Sequence, residues 1–403
     1  MSPYRWVMLT LICLGYGSFG LVMASIAPLI GPILRDTDMT RTQMGVVLGS
    51  WQFVYLFVAI PAGAIIDRFG LRRAIFIGIA FIALSQVLRA AAVDQVTMLA
   101  AVMVFGLGGP FLSIGAPKLA ATWFSEREVG MALGIYTISP SIGSMIATSS
   151  ANSVLMPATG DSWRASLLVF AAVAALTAVA WLLLAREPRG AGVAAATGPA
   201  AILASFRQLL GVRLVQIVLL MAIGVFLFNH SFSSWLPEML RSTGMTPSAA
   251  GFWASFPTLV AIVAALFVPR FTSARLLTPV LIAVFAMWVL SAAMLPSVTG
   301  GAQVIALLLL GIGRGAATPL LMLTLLRSKS VGPALMGAAG GLFFTAGEIG
   351  GVLGPTLTGV LSDLTGDFSL GLLVLAGTSV VLIGLTLALH TAARRAAAPI
   401  PAT

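Results

Sequence analysis

Apolar residues run along this chain in long continuous blocks, separated by short charged or turn-rich breaks. A membrane-spanning helix needs about 20 apolar residues, and membrane strands would show alternating rather than continuous apolarity. The pattern therefore predicts twelve spanning helices. They cover residues 6–34, 43–66, 74–93, 96–123, 130–154 and 163–185 in the first half, and 214–239, 248–269, 276–296, 302–326, 335–361 and 369–390 in the second.

The longest break, residues 186–213, opens with REPRGAGVAAATGPAA, a mixture of charges, prolines and small residues that is typical of a linker. It predicts a cytoplasmic connection with a short surface helix near Ile202–Leu210. Residues 1–185 and 214–403 then each form a six-helix bundle. The predicted fold is an all-α integral membrane protein whose two bundles are related by pseudo-two-fold symmetry.

Two segments 206 residues apart are near-copies: LRDTDMTRTQMG from Leu34 and LRSTGMTPSAAG from Leu240. The offset is close to half of the 403 residues, as expected when a helix bundle has been duplicated, an arrangement typical of transporters. Thr40 with Gln43 predicts a capping box at the start of the second helix. Thr246 before Pro247 predicts a similar start for the eighth.

Composition supports a lipid-facing surface, because 59% of the residues are hydrophobic and only 8% are charged, against about 25% charged in soluble domains. The single cysteine, Cys13, excludes a disulfide framework. The apolar run from Trp6 is too long for a signal peptide, so it predicts a retained first helix.

Basic residues are placed asymmetrically. With the N-terminus inside, fifteen Lys and Arg residues fall on the inner side and four on the outer, which predicts a bacterial cytoplasmic membrane with both termini in the cytoplasm. This placement explains the net charge of +10 without nucleic acid, since no basic run is interleaved with aromatic residues. The sequence also has no Gly-Lys-Ser/Thr phosphate loop and no Cys/His cluster, so no enzyme activity, cofactor or metal is expected.

The turn between the second and third predicted helices reads GAIIDRFGLRR, and it resembles the signature loop of the major facilitator superfamily. The resemblance extends to the helix count, the central linker and the half-length repeat. It implies alternating access, in which the two halves rock about a central site and open to one side at a time. The gating residues that it implies are Gly63, Asp67, Arg68, Gly70, Arg72 and Arg73.

Asp67 and the arginines of this loop are expected to form a charged clasp that favours the outward-facing state. For Arg68, Arg72 and Arg73 an alternative role is to set topology alone. Local phrases such as SWQFVYLFVAIPAGAIIDRFGLRR and PKLAATWFSEREVGMALGI are also loosely similar to bacterial cyanate/nitroimidazole-type and monocarboxylate-type carriers within the superfamily.

Ionisable residues inside a bilayer are costly, so each is a candidate for function. Arg314 and Glu348 lie near the middle of the tenth and eleventh predicted helices. Either they form a buried ion pair that holds the second half together, or Arg314 binds an anionic substrate. In the second case Glu348 is its resting partner or a carboxylate that carries a coupled proton.

Two further basic residues fall within predicted helices. Lys118 either extends toward the cytoplasmic interface or contacts the substrate or gate. Arg89, late in the third helix, is expected at the outer interface.

Asn229 and His230 lie in the seventh helix, which lines the cavity in members of the resembled family. His230 either carries a coupled proton or is a hydrogen-bonded packing residue. The same cavity is expected to include Gln52, Tyr55, Tyr136 and Phe344.

The sequence thus favours a monomeric secondary transporter of a small organic solute, with proton coupling left open. Arg314 and Lys118 against one buried carboxylate favour an organic anion. The alternatives are a carrier or efflux pump for a cationic or amphipathic compound, which would use Glu348 and the aromatic residues, and a membrane receptor or scaffold.

Overall fold

The structure is a computed structural model that describes residues 3–187, 199–328 and 330–397. In these ranges twelve helices are long and apolar enough to cross a membrane, which confirms the predicted number. They are α1 (Arg5–Thr37), α2 (Arg41–Phe69), α3 (Leu71–Ala90), α4 (Gln95–Trp123), α5 (Glu126–Ala158), α6 (Trp163–Leu184), α7 (Arg213–Ser242), α8 (Pro247–Phe271), α9 (Leu277–Met294), α10 (Gly300–Arg327), α11 (Gly332–Thr365) and α12 (Ser369–Ala397).

The duplicated segments begin equivalent helices, as predicted. The backbone N–H of Gln43 donates to Thr40 Oγ1 (3.2 Å), and the N–H of Thr40 donates to Gln43 Oε1 (2.9 Å), which completes the capping box of α2. At the start of α8, Thr246 Oγ1 accepts from the N–H of Ala249 (3.3 Å), with Pro247 at the first helical position. Both caps satisfy N–H groups that lack partners within the helix.

The first helix is not continuous, contrary to the prediction for residues 6–34. It consists of α-helix Arg5–Ala24, a 3₁₀ turn at Ala27–Leu29 and α-helix Ile30–Thr37. Pro28 lies in the turn, where its missing N–H and its ring interrupt the helical hydrogen bonds. The carbonyl of Val22 instead accepts hydrogen bonds from the Ser25 hydroxyl (2.9 Å) and from Arg89 Nη1 (2.6 Å).

Arg89 lies in the last turn of α3, but its side chain is only 1% exposed and therefore packs inside the bundle. It extends from the end of α3 toward the break in α1, and its guanidinium lies 5.1 Å from the ring centre of Phe105. The hydrogen bond to Val22, near the break in α1, thus holds the Arg89 side chain inside the bundle.

A linker helix, Pro199–Leu210, lies between α6 and α7 and includes the predicted surface helix. Part of the predicted linker, residues 188–198, lies outside the described residues. The domain limits at 185 and 214 stay predictions.

The bundle has two ends. We call the one that holds Arg5, Arg68, Arg127, Arg270 and Arg327 the arginine-rich end, and the other the opposite end. In the described part of the chain, hydrogen bonds between the halves lie between the opposite end and the middle of the bundle. Two of them are accepted by the carboxylate of Asp363, from the N–H groups of Arg41 (3.2 Å) and Thr42 (2.7 Å).

Glycines allow α2 and α11 to meet backbone to backbone toward the opposite end. A Cβ atom on Gly45 would lie 2.5 Å from the carbonyl oxygen of Pro355, and one on Gly49 would lie 2.6 Å from that of Val352. Such distances exclude any side chain unless the helices move apart. Small residues permit this close approach between membrane helices, and we call this contact the glycine seam.

Helices α2, α5 and α11 are less crowded near the arginine-rich end. Gly63 in α2, Gly134 in α5, and Gly337 and Gly341 in α11 have no neighbouring atom within 4 Å of an added Cβ. The halves are therefore closed against each other at the opposite end and open toward the arginine-rich end.

We expect Gly49→Ala to loosen the glycine seam, because the added methyl group must displace the backbone of α11. Overpacking of this kind costs about 1–3 kcal/mol, so the open population should rise about fivefold or more. The measurement is the rate at which a polar maleimide labels a cysteine placed at buried Ala24, in a Cys13→Ser background. Gly341→Ala is the matched control on uncrowded backbone, and equal labelling rates in the two variants would contradict the role of the seam.

Candidate functional site

The halves are joined at mid-depth by one glutamine. Gln52 Nε2 lies 3.1 Å from Nδ1 of His230 in α7 and donates to the carbonyl oxygen of Gly351 in α11 (3.3 Å). A Cβ on Gly351 would lie 2.8 Å from Oε2 of Glu348 and 3.3 Å from Cδ2 of His230. Gly351 therefore lets three predicted site residues converge, and we call Gln52, His230 and Glu348 the central cluster.

Glu348 is 9% exposed, and its Oε2 is buried without a hydrogen-bond partner among the described residues. An ion pair between Glu348 and Arg314, one of the two alternatives for these residues, is absent from the salt bridges of the described chain. The physical reason is that Arg314 is turned toward α7 instead.

Arg314 is held by two side chains of α7. Its Nε donates to Asn229 Oδ1 (3.1 Å) and its Nη2 to Ser233 Oγ (2.5 Å). Asn229 and Ser233 are four residues apart and therefore share one face of the helix. The amide of Asn229 is itself oriented, because its Nδ2 donates to the carbonyl oxygen of Val225 (2.9 Å) and leaves Oδ1 for the guanidinium.

A cavity of about 30 Å³ lies between the central cluster and the opposite end. This is space for about two water molecules. Its polar lining comes from both halves, and its apolar lining includes the break in α1. The polar and aromatic lining residues are Arg89, Trp51, Ser144, His230, Ser233 and Ser234.

The predicted aromatic residues fall in two places. Tyr55 and Tyr136 belong to the first half, where the Tyr55 hydroxyl lies 2.6 Å from Ser113 Oγ and the ring of Tyr136 packs edge-on against Tyr16. Phe344, in the second half, is 46% exposed and contacts Phe226, whose ring lies 5.8 Å from His230. Phe344 thus connects to the central cluster through the ring of Phe226, and Tyr55 connects to it through the ring of Trp51, which lies 5.9 Å from His230.

Lys118 lies away from this cluster, so of its two predicted contacts, with the substrate or with the gate, the structure shows the one with a gate residue. It forms an ion pair with Asp67 near the arginine-rich end, between α4 and α2 of the same half. The side chains are 41% and 38% exposed, so the pair is accessible to solvent. Lys118 therefore belongs with the predicted gate, and the Asp67 contact seen here does not cross between the halves.

The loop between α2 and α3 is fixed to the end of α6. Gly70 adopts φ +84°, which favours glycine, and the Glu187 carboxylate accepts from the N–H groups of Leu71 (2.8 Å) and Arg72 (3.0 Å). Arg72 Nη2 in turn donates to the carbonyl oxygen of Leu182 (2.7 Å). The remaining predicted gate residues, Arg68 and Arg73, line the groove beside this loop, and Gly63 lies on uncrowded backbone.

A family model of the major facilitator superfamily matches residues 12–355, which is most of the chain. The chain belongs to this superfamily. It is therefore a multi-pass membrane transporter and not an enzyme, as the sequence predicted.

Curated relatives of this superfamily member are distant in sequence but similar in length. It is 23% identical over 370 residues to the hexuronate transporter of Bacillus subtilis (strain 168), covering 86% of this chain and 85% of the relative. It is 23% identical over 390 residues to the probable galactarate/D-glucarate transporter of the same organism (87% and 83%). A D-galactonate transporter of Escherichia coli O6:H1 is 24% identical over 274 residues (60% and 61%).

Solved structures support the superfamily fold. A bacterial homologue of the human lysosomal transporter Spinster, in an inward-facing and unoccupied conformation, superposes with a TM-score of 0.80 at 15% identity, covering 100% of both chains. The nucleoside transporter NupG superposes with a TM-score of 0.79 at 17% identity, covering 96% of this chain and 99% of that one. These likenesses confirm two six-helix bundles.

Sequence reasoning missed several residues of this transporter's site. Ser233 had a usable pattern, since it follows Asn229 by one helical turn on the same face. Ser144, Trp51 and Glu187 had none, because their roles depend on helices that are distant along the chain. Among the described residues, no group of three or more His, Cys, Asp or Glu side chains is placed to hold a metal ion.

The Asp67–Lys118 pair is expected to contribute modestly to stability, because exposed ion pairs are worth about 0.2–1 kcal/mol. Asp67→Asn and Lys118→Gln should each lower the midpoint of thermal unfolding. The double variant should have a midpoint no lower than that of the less stable single variant. The control combines Asp67→Asn with Arg164→Gln, a cation of another ion pair, and these changes should add. Additivity in the Asp67–Lys118 cycle would contradict a direct interaction.

Proposed function

We propose that this transporter moves a small organic anion across the bacterial cytoplasmic membrane by alternating access, with Arg314 binding the anionic group. The supporting observation is that the Arg314 guanidinium lies in the bundle and forms no salt bridge among the described residues. Its bonds to Asn229 and Ser233 use two of five N–H donors. The remaining donors suit a carboxylate, which arginine can bind through two parallel hydrogen bonds.

The relatives support an anion, since their names refer to hexuronate, D-galactonate and galactarate/D-glucarate. The alternative is a cationic or amphipathic solute, and the unpaired carboxylate of Glu348 is the observation in its favour. The two proposals differ in which charged side chain the solute neutralises, Arg314 or Glu348.

The excess of basic residues assigns the arginine-rich end to the cytoplasm in this proposal. The structure then corresponds to a cytoplasm-open state, and the glycine seam closes the route to the outside. Transport requires the seam to separate while the arginine-rich end closes. A contact of Asp67 with the other half would form only in that second state, because here Asp67 pairs with Lys118 in its own half.

Glu348 is the proposed coupling residue, with His230 beside it as a second proton-binding group. A buried carboxylate without a partner is costly, and binding a proton removes its charge. Gln52 of α2 bonds to both α7 and α11 beside Glu348. Protonation at the central cluster therefore acts where the two halves are in contact. The proposal is therefore symport of an organic anion with a proton.

Arg314→Gln should weaken anion binding about 10-fold or more, because a hydrogen bond to a charged group is worth about 1.5–3 kcal/mol. The measurement is thermal stabilisation of the purified protein across a panel of organic anions and cations. Arg207→Gln, which removes an exposed cation of the linker helix, is the matched control and should bind anions like the wild type. Stabilisation by cations alone, unchanged in Arg314→Gln, would sink the anion proposal.

Glu348→Gln should abolish the stimulation of anion uptake by an inward proton gradient in proteoliposomes. Anion exchange without a gradient should persist, because the glutamine keeps the size of the side chain and cannot take up a proton. His230→Gln, measured alongside, tests whether the neighbouring imidazole is also required. The coupling proposal fails if both variants respond to the gradient as the wild type does.

A further inference from the structure

The first half also contains a buried cation, Arg89. Its contacts within the protein use only some of its N–H donors. Nη1 donates to the carbonyl oxygen of Val22 (2.6 Å) and lies 3.5 Å from Gln86 Oε1. Its Nε is buried with no hydrogen-bond partner, and Arg89 is absent from the salt bridges of the described chain. The positive charge thus has no counterion there.

The repair of α1 does not require this charge. The Val22 carbonyl also accepts from the Ser25 hydroxyl, and a neutral amide would supply the second donor equally well. Burying an uncompensated cation is unfavourable, so a purely structural residue at this position would be better neutral. A charged residue buried in a membrane helix bundle without a counterion points to a ligand that neutralises it.

The position of Arg89 relates it to the Arg314 site. Arg89, His230 and Ser233 line the same small cavity, and Ser233 is the hydroxyl to which Arg314 donates. Arg314 therefore approaches Ser233 from α10, while Arg89 reaches the cavity from the end of α3, nearer the opposite end. Arg89 lines this cavity directly, and Arg314 is connected to it through Ser233. In this state the cavity has space for about two waters.

We propose that Arg89 forms a second anion subsite, which becomes accessible when the glycine seam opens. The substrate class is then a dicarboxylate whose two anionic groups are neutralised by Arg314 and Arg89. Hydroxyl groups along its chain would face Ser233, Ser144 and His230, the polar lining between the two cations. This inference rests on the proposed function, because it takes Arg314 as the first subsite.

The test compares ligands that differ only in the second charge. D-glucarate and D-gluconate differ at one terminal carbon, a carboxylate in the first and a hydroxymethyl group in the second, and succinate and butyrate form a second pair. In the purified full-length protein, at least one dicarboxylate should bind about 10-fold or more tightly than its partner, a difference of about 1.4 kcal/mol. Dissociation constants are measured from ligand-dependent thermal stabilisation.

Arg89→Gln should remove this preference while leaving the affinity for the monocarboxylate within about twofold, since glutamine retains an N–H donor for Val22. Arg89→Lys should retain part of the preference, because the charge remains. Arg35→Gln is the matched control, an exposed arginine at the same end, and should behave as the wild type.

Equal affinity for both members of each pair in the wild type overturns the inference without any variant, as does failure of every dicarboxylate to bind. A preference that survives in Arg89→Gln also overturns it. In these cases, binding of monocarboxylates that is lost in Arg314→Gln leaves the proposed function standing. The proposed function itself fails if no organic anion binds the wild type.

Discussion

A bilayer supplies no hydrogen bonds, so every interruption of a spanning helix must be repaired by groups of the protein itself. The break in α1 shows the consequence most clearly. Pro28 lies in the turn that interrupts the helix, and shortly before it the carbonyl of Val22 accepts hydrogen bonds from the Ser25 hydroxyl and from Arg89. That repair places a cation beside the cavity. A local requirement of the backbone thereby introduces the chemistry with which a solute can interact.

Buried Arg89 and half-buried Arg314 are held by different groups. Arg314 rests on polar side chains that orient it, and the amide of Asn229 is itself fixed by a backbone carbonyl. Arg89 rests on a backbone carbonyl and an aromatic face. Both arrangements hold a guanidinium without neutralising it, which is unfavourable in the empty protein and favourable once an anion arrives. The cost of the empty site becomes part of the attraction for the substrate.

Much of the fold was predictable because the apolar blocks, the half-length repeat and the caps at Thr40 and Thr246 are local patterns. The break in α1 was not predicted, since Pro28 lies inside an uninterrupted apolar run. The burial of Arg89 was not predicted either, because its contacts with Val22 and Phe105 join helices that are distant along the chain. The pairing of Lys118 with Asp67, and the turn of Arg314 away from Glu348, depend on how helices rotate against one another, which hydropathy does not determine.

The glycine seam has a consequence for how such a carrier can change. Its contacts are made by backbone atoms of α2 and α11, so the machinery that opens and closes the route occupies few side-chain positions. In the proposed site, by contrast, recognition depends on side chains of α3, α7 and α10. Mutations that retune selectivity can therefore accumulate on those helices while the rocking motion is inherited unchanged. Gln52 belongs to α2 and contacts both α7 and α11, so a substitution there would affect the seam and the proposed site together.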